Sequence, residues 1–217
     1  MTFAVRRTQK ERVDTMRARL LDAAVDCLCE TGYAGMSTND VVRRAAVSRG
    51  ALAHHFPTKA DLVAAVAEQL MEQRAAEFHA RFGNLPVQRR TGPEALDVLW
   101  SLYDDRAYFA LLELTVAARS DDELRGVLAG VPEQLTELTH TTISEYLPDL
   151  AQIPFIEDIA RGIEALFTGL AVHSIVDGDA RGRHAAVREL MKFAIAGAQG
   201  SSLLSSILRP DSQRSST

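Results

Sequence analysis

At 217 residues, 47% apolar and 24% charged, the chain can bury a hydrophobic core without disulfide or metal staples and is not dominated by disorder. No run reads as the ~20 apolar residues of a membrane span, and the basic start Met1 to Thr15 lacks the apolar segment of a secretory signal, so the expected location is cytoplasmic with no membrane partner. The net charge of −5 argues against nucleic acid only until it is divided: residues 1–62 hold 10 Lys and Arg against 7 Asp and Glu, the remainder 14 against 22. A basic end on an acidic body is the asymmetry expected where one end meets phosphate.

Helical spacing runs throughout, with no alternating strand pattern and no internal repeat, so the predicted fold is all-α. Residues 1–14, with Arg6, Arg7, Lys10 and Arg12, form a basic arm that is either solvated or tracks a groove. The first helix is expected from Asp14 to Glu30, with Leu20, Ala24, Cys27 and Leu28 on one face and Gly32 placed as a C-terminal cap. Cys27 and Cys29 project to different sides, which suits neither a disulfide nor a metal pair. Ser37 caps a short helix that ends near Ala45, with Asp40 three residues on in an acidic variant of the capping box. Ser48 caps a second short helix, Arg49 to His55, which Pro57 stops. Thr58 caps a long helix from Lys59 to Phe82, before Gly83-Asn84 and Pro86 break the pattern. Further helices are expected at Pro93 to Tyr103, Arg106 to Arg119, Asp121 to Leu147, Ile156 to Val176 and Arg183 to Leu208. Asp104-Asp105 and Asp121-Asp122 read as helix starts, where negative charge is favoured, and residues 209–217 as a disordered tail.

Two short capped helices joined by Ala45-Ala46-Val47, with longer helices on either side, form a plausible helix-turn-helix, the second helix entering a major groove. The residues make this specific. Ser37-Thr38, Val41-Val42, Ala45 to Leu52 and His54-His55-Phe56-Pro57-Thr58-Lys59-Ala60-Asp61-Leu62 closely resemble the DNA-binding segment of the tetracycline-repressor (TetR) family. Leu20 to Ala24 and Gly32-Tyr33 resemble its opening helix and glycine-aromatic exit. The match covers about residues 16–65.

That resemblance implies a three-helix head at 15–62 on a larger ligand-binding and dimerisation domain at 63–208, acting as a repressor released from a palindromic operator by a small molecule. It places Arg49, Gly50 and Ala51 at base edges, Ser48 at the start of the recognition helix, and Thr38 and Lys59 at phosphate. His54 and His55 fall on backbone or bases, and Asn39 where a neighbouring helix adds a contact. Arg49 suits specificity because a guanidinium pairs twice with guanine; Arg43 and Arg44 can add phosphate charge. Two departures stand out: Ala46 replaces the usual turn glycine, and Ala53 the usual tyrosine. Leu52, Phe56 and Val47 read as core. Adjacent helical residues such as His54 and His55 point about a hundred degrees apart and cannot chelate well, so no metal or other cofactor is expected.

Beyond residue 65 no motif is specific. Phe78, Phe82, Trp100, Tyr103, Tyr108, Phe109, Leu112, Tyr146 and also Met71 put large apolar groups on helices, either around a pocket for a lipophilic or aromatic effector or in the core. Arg106, Arg119 or His140 could meet a carboxylate. Ile159, Ile163, Leu166, Phe167, Leu170 and His173 line one stripe, and Leu190, Phe193, Ala194, Gly197 and Ala198 another, either pairing two copies in a four-helix interface or packing within one chain. No nucleophile elbow, phosphate loop or zinc spacing supports an enzyme; a helical interaction module without DNA binding is the other alternative.

Overall fold

The computed structural model describes residues 9–103, 105–153, 155–177 and 180–200. Among them the regular structure is helical: α1 Gln9–Gly35, α2 Thr38–Ala45, α3 Arg49–His55, α4 Lys59–Gly83, a 3-10 turn at Val87–Arg89, α5 Gly92–Trp100, α6 Arg106–Ala117, α7 Asp122–Val127, α8 Val131–Tyr146, α9 Pro148–Ala151, α10 Ile156–Val176 and α11 Ala180–Gly200. The all-α expectation holds. Arg6 and Arg7 of the basic arm, Asp104, the end of the last helix beyond 200 and the tail 209–217 lie outside the described residues.

The chain forms two compact units, one of residues up to 74 with 105–132, the other of 75–104 with 133 onward. The boundary at 74/75 falls inside the continuous helix α4, and α6 and α7 belong to the first unit. Sequence periodicity does not reveal this, because the contacts that recruit α6 are long-range. Ala110, Leu114 and Leu124 are buried in one core with Leu20, Ala24 and Leu28 of α1, Val41 of α2, Leu52 of α3 and Leu62 and Val66 of α4.

Local signals set the boundaries of the first unit. Ser37 Oγ accepts from the Asp40 amide at 3.2 Å and Ser48 Oγ from the Ala51 amide at 3.1 Å, each satisfying an orphan donor of a helix start. Thr58 and Asp61 form a reciprocal box: Thr58 Oγ1 accepts from the Asp61 amide and the Asp61 carboxylate from the Thr58 amide, both at 3.0 Å. Asp105 and Asp121 cap α6 and α7 through the amides of Tyr108 and Leu124. Within α1 the helical path breaks at Gly32, whose φ of 69° and ψ of 174° suit glycine. A Cβ there would also lie 2.7 Å from Glu113 Oε1, which accepts from the Tyr33 amide at 2.8 Å and so fastens this turn to α6.

Ala46 closes α2 in the left-handed region, φ 50° and ψ 50°. An L-residue there costs roughly 1–2 kcal/mol, while glycine adds unfolded-state entropy of roughly 0.5–1 kcal/mol. Ala46→Gly should therefore stabilise the protein by about 0.5–1 kcal/mol in urea denaturation. A destabilised variant would mean that the exposed methyl group packs after all.

In the second unit α11 packs on α5 and on α10. Two aromatic clusters organise it. Phe82 is fully buried, stacked on Phe78 and edge-on to Tyr146, beside Leu147 and Leu150. Trp100, Tyr103 and Phe167 meet with centroids 5.1–6.2 Å apart. The single helix expected over Asp121 to Leu147 is instead α7, a turn and α8. Gly126 and Gly130 weaken the helix there, and Pro132 has no amide to continue it. The short elements Val87–Arg89 and α9 were not expected.

By length and composition α10 is apolar enough to cross a membrane, which corrects the reading that no run qualifies. That reading sought uninterrupted apolar residues, and Arg161 and Glu164 interrupt this one. Only 11% of the apolar window is buried within the chain. Gly162, Ala165, Leu166, Gly169, Val172, His173 and Val176 are exposed along it, and Leu190, Phe193, Ala194 and Gly197 along α11.

Candidate nucleic-acid interface

Leu52 and Phe56 anchor α3 in the core, so the residues between and before them face outward. Ser48, Arg49, Gly50, Ala53 and His54 are exposed, Ala51 and His55 half-buried. Thr38 is half-buried and Asn39 exposed at the start of α2. A Cβ on Gly50 would meet nothing nearer than Ser48 Oγ at 3.9 Å, so internal packing does not require glycine at this position.

The cations around this face divide by what holds them. Arg44 grips Glu30 through both terminal nitrogens and Asp26 at 3.4 Å, and Arg19 donates to the Ala45 carbonyl, so both brace α2 against α1. Arg106 also pairs with Asp26. Arg43 lies 2.6 Å from Asp40 on an exposed surface. The Ser37 hydroxyl, helped by Arg43, holds the Asp40 carboxyl below the ordinary range. Arg17 stands over the Phe56 ring. The sequence reading offered Arg44 as extra phosphate charge and missed its bracing role, because its partners lie 14 and 18 residues away on another helix.

Lys59 is likewise tied inward. Its Nζ donates to the Tyr33 carbonyl at 3.0 Å and sits 4.0 Å from the Tyr33 ring centroid. Burial pushes its pKa down, partly offset by the Asp121 carboxylate. The Tyr33 phenol is pushed up, first by burial and then by Asp121. The start of α4, the exit of α1 and the turn before α7 thus converge on Tyr33. Asp121 was read from sequence as a helix start, which it is, but its reach to Tyr33 was not foreseen, and Glu113 was not singled out because it lies within no motif.

The aromatic set separates into three groups. Phe78, Phe82 and Tyr146 form one, with His79 Nδ1 3.0 Å from the Tyr146 hydroxyl. Trp100 and Tyr103 form a second with Phe167 and the buried His184. Tyr108 and Phe109 belong to the first unit, as does Leu112, with Arg74 5.8 Å from the Tyr108 ring. His140 pairs with Glu157 at 2.7 Å, so it and Arg106 are engaged by the chain's own carboxylates. Of the predicted pairing stripes, Leu166, Phe193, Ala194 and Gly197 are exposed, and Ile159, Ile163 and Leu170 half-buried. Phe167 is the correction: it is fully buried against Trp100 and Tyr103, because it lies one helical step from Leu166 and points the other way.

Residues 20–66 match the sequence profile of bacterial regulatory proteins, tetR family. An uncharacterised HTH-type transcriptional regulator of Mycobacterium tuberculosis is 35% identical over 164 residues, spanning 76% of this chain and 83% of the relative. Among solved structures, Salmonella enterica GusR superposes with a TM-score of 0.66 at 19% identity, over 89% of this chain and 98% of GusR, a likeness of fold. The multidrug binding protein EbrR, complexed with ethidium, gives a TM-score of 0.55 at 26% identity over 81% of this chain and 95% of EbrR.

Proposed function

The chain belongs to the tetR family of bacterial transcriptional regulators, binding DNA through its helix-turn-helix, and we propose that it is a dimeric repressor released from a palindromic operator by a lipophilic or aromatic effector. The observation that carries the DNA-reading half is the outward face of α3. Arg49 has no ion pair among the described residues, whereas Arg19, Arg43 and Arg44 do or are hydrogen-bonded within the chain. Arg49, Gly50 and Ala51 read base edges from the major groove, and the bare backbone at Gly50 admits close approach. Thr38, Ser48, His54, His55 and the N–H groups of Lys59 not spent on Tyr33 meet phosphate, with Asn39 beside them. DNA reading is assigned to 15–62, effector binding and pairing to 63–208.

The exposed apolar stripes on α10 and α11 support twofold pairing, which matches the symmetry of a palindrome. EbrR, a multidrug binding protein, supports an aromatic effector. Selection of bound duplexes from a random pool tests the reading. The expected result is one enriched palindrome, bound with log affinity that falls linearly with log salt because phosphate contacts release counterions. Equal binding to selected and random duplex at every salt concentration would overturn it.

A further inference from the structure

Resting on the effector reading, the second unit contains a group that narrows the effector's chemistry. Arg188 on α11 lies with its guanidinium 5.2 Å from the centroid of the Trp100 ring on α5. Its Nε is buried and has no acceptor among the described residues. The nearest carboxylate is Asp97, 3.9 Å from Nη1, beyond hydrogen-bond reach. Asp97 is held instead by Lys192 at 3.0 Å, and Lys192 also reaches Glu189 at 2.5 Å. The guanidinium thus lies beside an indole, with a buried Nε–H that has no acceptor among the described residues. Phe167 and Tyr103 stand against the same Trp100, and the buried His184 closes the cluster with its ring 6.1 Å away.

A buried donor without an acceptor is costly, and a methionine or leucine would cover Trp100 without that cost. A charged fork beside an indole suits arginine when a planar anion comes to it: a carboxylate takes the Nε edge in a bidentate pair, and an attached ring meets the half-buried Trp100. We infer that the effector is an aromatic carboxylate, its acid group on Arg188 and its ring on the part of Trp100 that Tyr103 and Phe167 leave uncovered.

Trp100 is the single tryptophan of the chain, so its fluorescence reports the site directly. The full-length protein is titrated with 4-methylbenzoate, 4-methylbenzamide and ethidium, with calorimetry alongside. The acid is expected to change Trp100 emission saturably and to bind at least about tenfold more tightly than the amide, which cannot accept a charged bidentate pair. Arg188→Met should abolish that preference with melting temperature retained, and Arg188→Lys should restore part of it, because charge returns without the fork. Equal affinity for acid and amide, or an unchanged preference in Arg188→Met, overturns the inference. Should that variant fail to fold, the acid and amide comparison in the natural protein decides. Binding and operator release by ethidium but not by the acid overturns the inference and leaves the effector reading standing. If none of the three binds or releases operator at millimolar concentration, both fall.

Discussion

Phe193→Glu should convert the protein from a dimer to a monomer in sedimentation and weaken operator binding by about 100-fold, with helical content retained. Phe193 is 77% exposed within its own chain, next to Leu190 at 68%, and α10 shows Val176 at 88% and Ile175 at 60%. A surface this apolar is covered in a working molecule. In a twofold pair every substitution occurs twice, so two carboxylates would be buried where two phenyl rings had been, a reversal of several kcal/mol. The operator effect follows because two linked heads gain roughly 10²–10⁴ in avidity over one. Phe193→Leu should keep both dimer and affinity. A glutamate variant that stays dimeric would place the interface elsewhere, and one that loses helix at every concentration would make this face part of the chain's own core.

What the sequence made legible was local. Ser37, Ser48 and Thr58 each announce a helix start through a hydroxyl that accepts from an amide three residues on, and the structure makes all three bonds. Gly32 marked its turn by residue type, whereas the left-handed place of Ala46 was expected only through the resemblance, since alanine itself disfavours that region. The fastening of those helices was not legible. Arg44 to Glu30, Tyr33 to Glu113 and Arg188 over Trp100 join residues 14, 80 and 88 positions apart, and no spacing rule relates them. Apolar character was readable at Phe82, Trp100 and Tyr108, but their division among three clusters was not, because a period fixes a face and not the helix opposite it. The stripe drawn through Phe167 shows the same limit. Its exposed seam runs through Gly162, Leu166, Gly169 and Val176, and one step of about 100° separates interface from core.

Arg49→Ala tests whether the head reads sequence where the fold presents it. Arg49 is the first residue of α3, exposed, with Ser48 as the cap behind it. Alanine keeps the helix, being the best helix former, and the Ser48 to Ala51 cap does not involve the lost side chain. The expected result is a loss of about 1–3 kcal/mol of discrimination at one base pair of each half-site, with other positions unchanged. Lys59, tied to Tyr33, and Ala53, which lacks a phenol, leave fewer alternative contacts nearby to compensate. The competing outcome has a different signature: equal weakening on all duplexes, with the log-log salt slope lower by about 1, would make Arg49 a phosphate contact. Specificity would then shift to Asn39 and His54, exposed polar groups on α2 and α3.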